Sequence, residues 1–352
     1  MNPETLKLVL SKMLDKNITH ADYTLEQLQG GTVGNVQLMS GIARAANEEM
    51  PYKIVLKTQK KWARDGDPNS WRREYDLYTS ELDKSFSDKL SWPICYHAGI
   101  NESETETQLW MQYIEGTTSG DMTIEMLETA AAELGRYQAR LYIQNPDYLH
   151  NIKNLGVVNA LEGFYRHWEH KNVEFKYIRE PGCEIPKHLC DMIIDIDSRA
   201  DAIFEDIRKL PVVLCHRDFW IANIIYNNGN IALIDWDTAG WGYLGEDIIQ
   251  LITDETNPAL WEEYKHRLIP AYLNGFAETA HGDSPVRHGD PLVRHCEAKP
   301  KQSTQWHELI CQIPLVHLGY LCVFYFMQQD LAAGEHYPSI ESLQKLHDIF
   351  YK

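Results

Sequence analysis

The residue types and spacings that could do chemistry are concentrated in one stretch, VVLCHRDFWIANIIYNNGNIALIDWD at 212–237. His216, Arg217 and Asp218 are adjacent, Asn223 follows Asp218 five positions later, and Asp235 closes an apolar run. Phosphoryl transfer from a nucleoside triphosphate demands little covalent chemistry from a protein and much positioning. One carboxylate must accept the proton of the attacking hydroxyl. Oxygen ligands must hold Mg2+ against the phosphates, because that hard cation favours carboxylate, amide carbonyl and water. Asp218, Asn223 and Asp235 supply such a set. A loop ending at Asn223, a turn over Asn227–Asn230 and a strand ending in Asp235 are predicted to gather the three side chains.

Other elements must position them. Leu6, Val9, Leu10, Met13 and Leu14 recur at helical spacing near the start. Residues 24–57 then read as strand, glycine-rich turn, strand, exposed turn and a β-branched strand ending at Lys57. Gly30, Gly31 and Gly34 sit in that first turn, where missing side chains let backbone N–H groups approach phosphates. SWRREYDLYTSEL, with Glu74, fits a helix, and residues 92–98 and 108–114 fit two more strands. After Gly116 long helical patterns take over: residues 122–144, 192–209, LIPAYLNGFAETA and LVHLGYLCVFYFMQQDLAAG. HGDSPVR followed by HGDPLVR is a tandem duplication, read as a mobile surface insertion at 281–303.

The string H-x-D-x-x-x-x-N followed by I-D-W resembles the catalytic core of the aminoglycoside phosphotransferase and choline kinase-like family of small-molecule kinases. The resemblance implies an α+β, bilobal protein-kinase-like fold, with a small antiparallel N-terminal sheet plus one helix and a larger, mainly helical C-terminal lobe. Residues 1–115 would be the nucleotide-binding lobe, 109–116 the hinge, and 116–352 the catalytic and substrate-binding lobe. It also implies roles: Asp218 as catalytic base, Asn223 and Asp235 as Mg2+ ligands, and His216 as support for the loop. Asp247 would cap the following helix and brace the catalytic loop. Lys57 would grip the ATP phosphates with Glu74 fixing it, and the backbone of Gln112 and Tyr113 would meet the adenine. Two features depart from protein kinases or from the family. Arg217 stands where most relatives carry Gly, and is expected to pair with a carboxylate. The stretch from Asp235 to Asp247 is too short for an activation segment, which argues against a protein substrate.

The chain has 352 residues, 33 basic and 51 acidic, for a net charge of −18. So acidic a surface disfavours nucleic acid and anionic membranes as partners. Seven cysteines with no C-x-x-C pair fit reduced thiols and a cytoplasmic setting. The first residues do not read as a signal peptide, and no stretch is expected to reach the ~18–20 apolar residues of a membrane span. Aromatic residues such as Trp241, Tyr243, Trp261, Trp306, Tyr320 and Tyr325, interleaved with carboxylates, suit a cationic, amine-bearing acceptor. The expectation is an ATP- and Mg2+-dependent phosphotransferase acting on the hydroxyl of a small molecule. The alternative is a non-catalytic nucleotide-binding scaffold on the same fold.

Overall fold

In the strands Gly34–Ala45 and Glu48–Lys60, alternate side chains turn inward and pair the two into one long antiparallel hairpin, with Val36 opposite Lys57. The computed structural model describes residues 3–28, 34–46, 48–64, 67–254, 257–281, 300–329 and 339–352. The hairpin is the centre of a six-stranded antiparallel sheet, ordered His20–Ala21, Gly34–Ala45, Glu48–Lys60, Glu106–Gln112, Cys95–Ile100, with Thr24–Gln27 also pairing to Gly34–Ala45. One face buries Met39, Ala43, Ile54, Leu56 and Trp110 against Leu6, Val9 and Leu10 of the helix Pro3–Leu14. The second long strand runs to Lys60, past its expected end at Lys57, because Lys57 to Lys60 continue to pair with Glu106 to Leu109. The helix Ser70–Tyr78 forms as the periodicity predicts.

The chain divides into two compact units, and the first is not continuous in sequence. It comprises Met1–Thr117, Pro146–Leu155 and Ile225–Thr238. A cut after residue 115 misses the later pieces. The hairpin strand Asn230–Leu233 joins this unit by pairing in parallel with Leu90–Ser91, and Thr117 exchanges two backbone bonds of 2.8 Å with Tyr226.

The second unit comprises Thr118–Asn145, Gly156–Ile224 and Ala239–Lys352 and is mainly helical. Its central pair is Ile124–Gln144 packed on Trp261–His281. A Cβ on Gly135 would stand 2.2 Å from the Tyr272 carbonyl, and one on Gly275 2.1 Å from the Ala132 carbonyl. Each helix thus needs a glycine where the other's backbone crosses. The single helix expected over 192–209 is two, Lys187–Ser198 and Ala200–Ile207, because Arg199 leaves the helical conformation and folds its guanidinium back onto Asp195 at 2.7 Å. The short strands Val212–Cys215 and Gly240–Tyr243 pair antiparallel.

One expectation about apolar runs is corrected. The helical stretch Thr304–Gln328 is long and apolar enough to cross a bilayer by length and composition, and 61% of its apolar window is buried within the protein. Such burial is the pattern of a core helix. The expected mobile insertion at 281–303 lies outside the described residues except at its helical ends, His281 and the turn from Pro300. Six cysteines are described and all are free thiols.

Candidate active site

In the first unit the chemistry converges on Lys57. The sheet carries its side chain inward, where it is only 8% exposed. Its Nζ lies 2.6 Å from Glu74 Oε2 and 2.5 Å from Asp235 Oδ1. Burial alone would lower the ammonium's pKa, but the carboxylates of Glu74, Asp235 and Asp237 outweigh it and hold Lys57 raised and charged. Burial pushes the Glu74 carboxyl up and the lysine draws it back down. Asp235 is the open member of the group, with its side chain 31% exposed.

Asp235 is aimed by an unusual backbone. Its φ of 63° is left-handed, which turns the chain sharply after the strand. Trp236, the next residue, is fully buried, donates Nε1–H to the Leu233 carbonyl at 3.1 Å and stands edge-on to Phe86 and Trp92. Its backbone N–H reaches Glu74 Oε1 at 3.3 Å. Asp237 is raised by burial and by repulsion from Asp235. Arg73, which the motifs do not single out, fixes this corner: its guanidinium holds the Asp237 carbonyl at 2.9 Å, the Asn154 carbonyl at 2.5 Å and Asp67 at 2.6 Å. A signal for it existed, since Arg73 and Leu77 are four apart and share the buried face of one helix.

The remaining residues expected here are placed less centrally. Gly34 opens a strand, with space around it: a Cβ added there would have its nearest neighbour 3.6 Å away. Gly30 and Gly31 lie outside the described residues. The Gln112 N–H already binds the Ile94 carbonyl at 2.8 Å, and the Tyr113 ring lies under Lys53 Nζ at 5.0 Å.

In the second unit the site is a loop held from below. After the strand Val212–Cys215 the chain passes through His216, Arg217 and Asp218 into a short turn, Ile221–Asn223. Asp247, fully buried, takes the His216 N–H on Oδ2 at 3.0 Å and the Arg217 N–H on Oδ1 at 2.8 Å. The Gln138 amide adds a third bond to Asp247 at 2.9 Å. Burial pushes this carboxyl up to about 6, against those donors. Gln250 closes the loop from the other side, donating to the Arg217 carbonyl at 3.1 Å and accepting from the Phe219 N–H at 3.4 Å. Asp247 therefore braces the loop. It does not cap the helix Glu246–Thr253, whose N-cap is Gly245 with φ 102°.

Asn223 donates Nδ2–H to both the carbonyl and the carboxylate of Asp218, at 2.9 and 2.6 Å. Both bonds use the amide nitrogen, so the amide oxygen is the side-chain atom of the type a hard cation takes. His216 is 1% exposed and belongs to the loop's interior. Of the aromatics expected to meet an acceptor, Trp261, Trp306, Tyr320 and Tyr243 are buried core residues, whereas Tyr325 is 39% exposed.

The fold is protein-kinase-like, and the class of protein is a phosphotransferase of the kinase type. The phosphotransferase enzyme family profile matches residues 93–281, more than half of the chain, and the chain belongs to that family. No curated protein sequence matches the chain. Among solved structures it is similar to choline kinase from Cryptosporidium parvum Iowa II, at 14% identity over 94% of this chain and 87% of that one, TM-score 0.51. The GDP and kanamycin complex of the aminoglycoside phosphotransferase APH(2")-IIia is similar at 13% identity over 99% of both chains, TM-score 0.54. A point mutant of aminoglycoside 2'-phosphotransferase-IIIa with GDP gives 14% identity over 99% and 97%, TM-score 0.56. At these identities the likeness is one of fold.

Proposed function

We propose that the protein transfers the γ-phosphoryl group of ATP, with Mg2+, to a hydroxyl of a small amine-bearing molecule. The observation that carries this reading is the Lys57 ammonium, buried beside Glu74 and bound to the half-open Asp235 carboxylate. A permanently charged lysine with one exposed carboxylate beside it suits a polyphosphate and its cation. Lys57 binds the phosphates, and Glu74 keeps it in place. Asp218 accepts the proton of the acceptor hydroxyl, and Asn223 holds that carboxylate in position. Asp235 and the Asn223 amide oxygen are the Mg2+ ligands by the motif. When bound, the cation neutralises charge developing on the phosphates. The backbone around Gln112 and Tyr113 is the adenine contact, with the Gln112 N–H excluded by its bond to Ile94. The net charge of −18 favours a cationic acceptor, and seven cysteines without a C-x-x-C pair favour a cytoplasmic setting.

The test is nucleotide turnover across aminoglycosides, choline, ethanolamine, amino-acid alcohols and simple sugars, with ATP and GTP compared and Asp218→Asn beside the wild type. Acceptor-dependent ADP release that falls by about 10²–10⁴ in the variant, with nucleotide binding retained, is expected. Near wild-type turnover by Asp218→Asn would overturn the role of Asp218. Nucleotide binding indifferent to Mg2+ with no turnover would favour the scaffold.

A further inference from the structure

Arg217 occupies a position whose backbone is built for glycine. Its φ is 63°, in the left-handed region where a Cβ is strained, yet it carries one of the longest side chains. That side chain is 11% exposed and folds back into its own unit. Nη2 donates to the Val157 carbonyl at 2.6 Å and also to the Trp241 carbonyl. The expected carboxylate partner is present only at long range, Glu246 Oε2 at 3.9 Å from Nε. Two backbone carbonyls, on two different segments, are the main acceptors.

Those segments are themselves joined. The Gly156 N–H binds the Ala239 carbonyl at 3.1 Å, and the Trp241 N–H binds the Gly156 carbonyl at 2.9 Å. Space for the guanidinium is made by Gly156, where a Cβ would stand 2.3 Å from Nη1. Residues 156–157 lead directly into the helix Ala160–His167, while Gly240–Tyr243 pairs with the strand that feeds the Asp218 loop. A single planar fork therefore ties the residue before Asp218 to both.

We propose that Arg217 is a positioning residue: a permanent internal strut that holds the Asp218 loop against segments 156–157 and 240–243. This inference rests on the reading of Asp218 as the base. The strut uses only groups of the folded chain, so the loop's geometry needs no phosphorylated segment to set it. The local strain at φ 63° is the cost of placing the guanidinium there, and three backbone anchors, Asp247 on the N–H, Gln250 on the carbonyl and the strand before it, keep the conformation in place.

The experiment is a double-mutant cycle between Arg217→Gly and Gly156→Ala, read by thermal unfolding and by steady-state kinetics. Arg217→Gly keeps the left-handed backbone without strain and removes only the fork. It is expected to lower kcat by about a hundredfold, as a small misplacement of a reacting group does, with the KM for ATP changed less than about threefold. Gly156→Ala alone drives its methyl into the guanidinium, and is expected to lower both Tm and kcat. In the Arg217→Gly background the same alanine meets open space and costs nothing further. Should Arg217→Gly fail to fold, Arg217→Ala takes its place in the cycle, since a methyl offers neither carbonyl a donor and vacates the space beside Gly156. Additive Tm losses would overturn the strut, as would full kcat in Arg217→Gly. The Tm cycle needs no turnover, so it stands or falls independently of the assignment of Asp218.

Discussion

Lys57 Nζ and Glu74 Oε2 meet at 2.6 Å, with the two side chains only 8% and 4% exposed. A buried pair of this kind is weak evidence for stability in itself, because desolvating both ions offsets much of their attraction. Breaking it from one side is another matter. Lys57→Met leaves Glu74 buried without its counter-charge, and is expected to destabilise the protein by about 3 kcal/mol and abolish turnover. Lys57→Met combined with Glu74→Gln, which removes the second charge and keeps an acceptor for the Trp236 N–H, should recover most of the stability and none of the activity. Denaturant unfolding and nucleotide turnover on the two variants check this. Activity returning in the double variant would mean the pair serves the fold alone.

Asp247 is the acceptor for two consecutive backbone N–H groups of the loop that carries Asp218. In Asp247→Ala those two N–H groups lose their acceptor, at about 1–3 kcal/mol each, while the Gln138 amide keeps its bond to the Leu214 carbonyl at 3.1 Å. A loss of about 3 kcal/mol or more is expected. The loop should also come loose locally: hydrogen exchange at the amides of His216 and Arg217 should speed up well beyond the global change, and kcat should fall. Unchanged exchange at those two amides would show that Gln250 and the strand suffice to hold the loop.

Glu174 makes a pH-dependent prediction. It is 1% exposed, accepts the Trp168 Nε1–H at 2.8 Å, and burial pushes its carboxyl up to about 7. A raised carboxyl binds its proton more tightly folded than unfolded. Its contribution to stability is therefore full below the usual carboxylate range near 4.5 and is lost as the pH rises through about 7. Glu174→Gln should be nearly neutral at about pH 4.5 and stabilising at about pH 8, by up to about 3 kcal/mol, measured as the Tm difference across that range. A difference flat with pH would show that Glu174 stays ionised when buried.

Much of the fold is legible because it is written in local pattern. Period-two alternation in 34–60, helical spacing of apolar residues in 124–144 and a long, nearly continuous apolar run in 313–329 specify strand and helix from neighbouring residues alone. The departures are of a different kind. The strand expected to end at Lys57 extends to Lys60, because a partner strand distant in sequence decides where pairing stops, and the helix expected over 192–209 breaks at Arg199, whose guanidinium turns back onto Asp195. Trp236, adjacent to Asp235, reads in the sequence as one letter of a motif, yet its burial against Phe86 and Trp92 is what anchors the turn.

The sequence by itself determined which residues are the candidates for the proposed chemistry, since His216, Asp218, Asn223 and Asp235 stand within one short run and Lys57 and Glu74 stand in order on a strand and a helix. It also determined, from the brevity of the chain between Asp235 and Asp247, that no activation segment intervenes. Only the tertiary structure decided what holds those residues. The guanidiniums of Arg73 and Arg217 both end on backbone carbonyls, which have no signature in sequence because every residue has one. The return of residues 225–238 to the first unit is likewise settled by sheet pairing with Leu90–Ser91, a contact that only folding brings within hydrogen-bond reach.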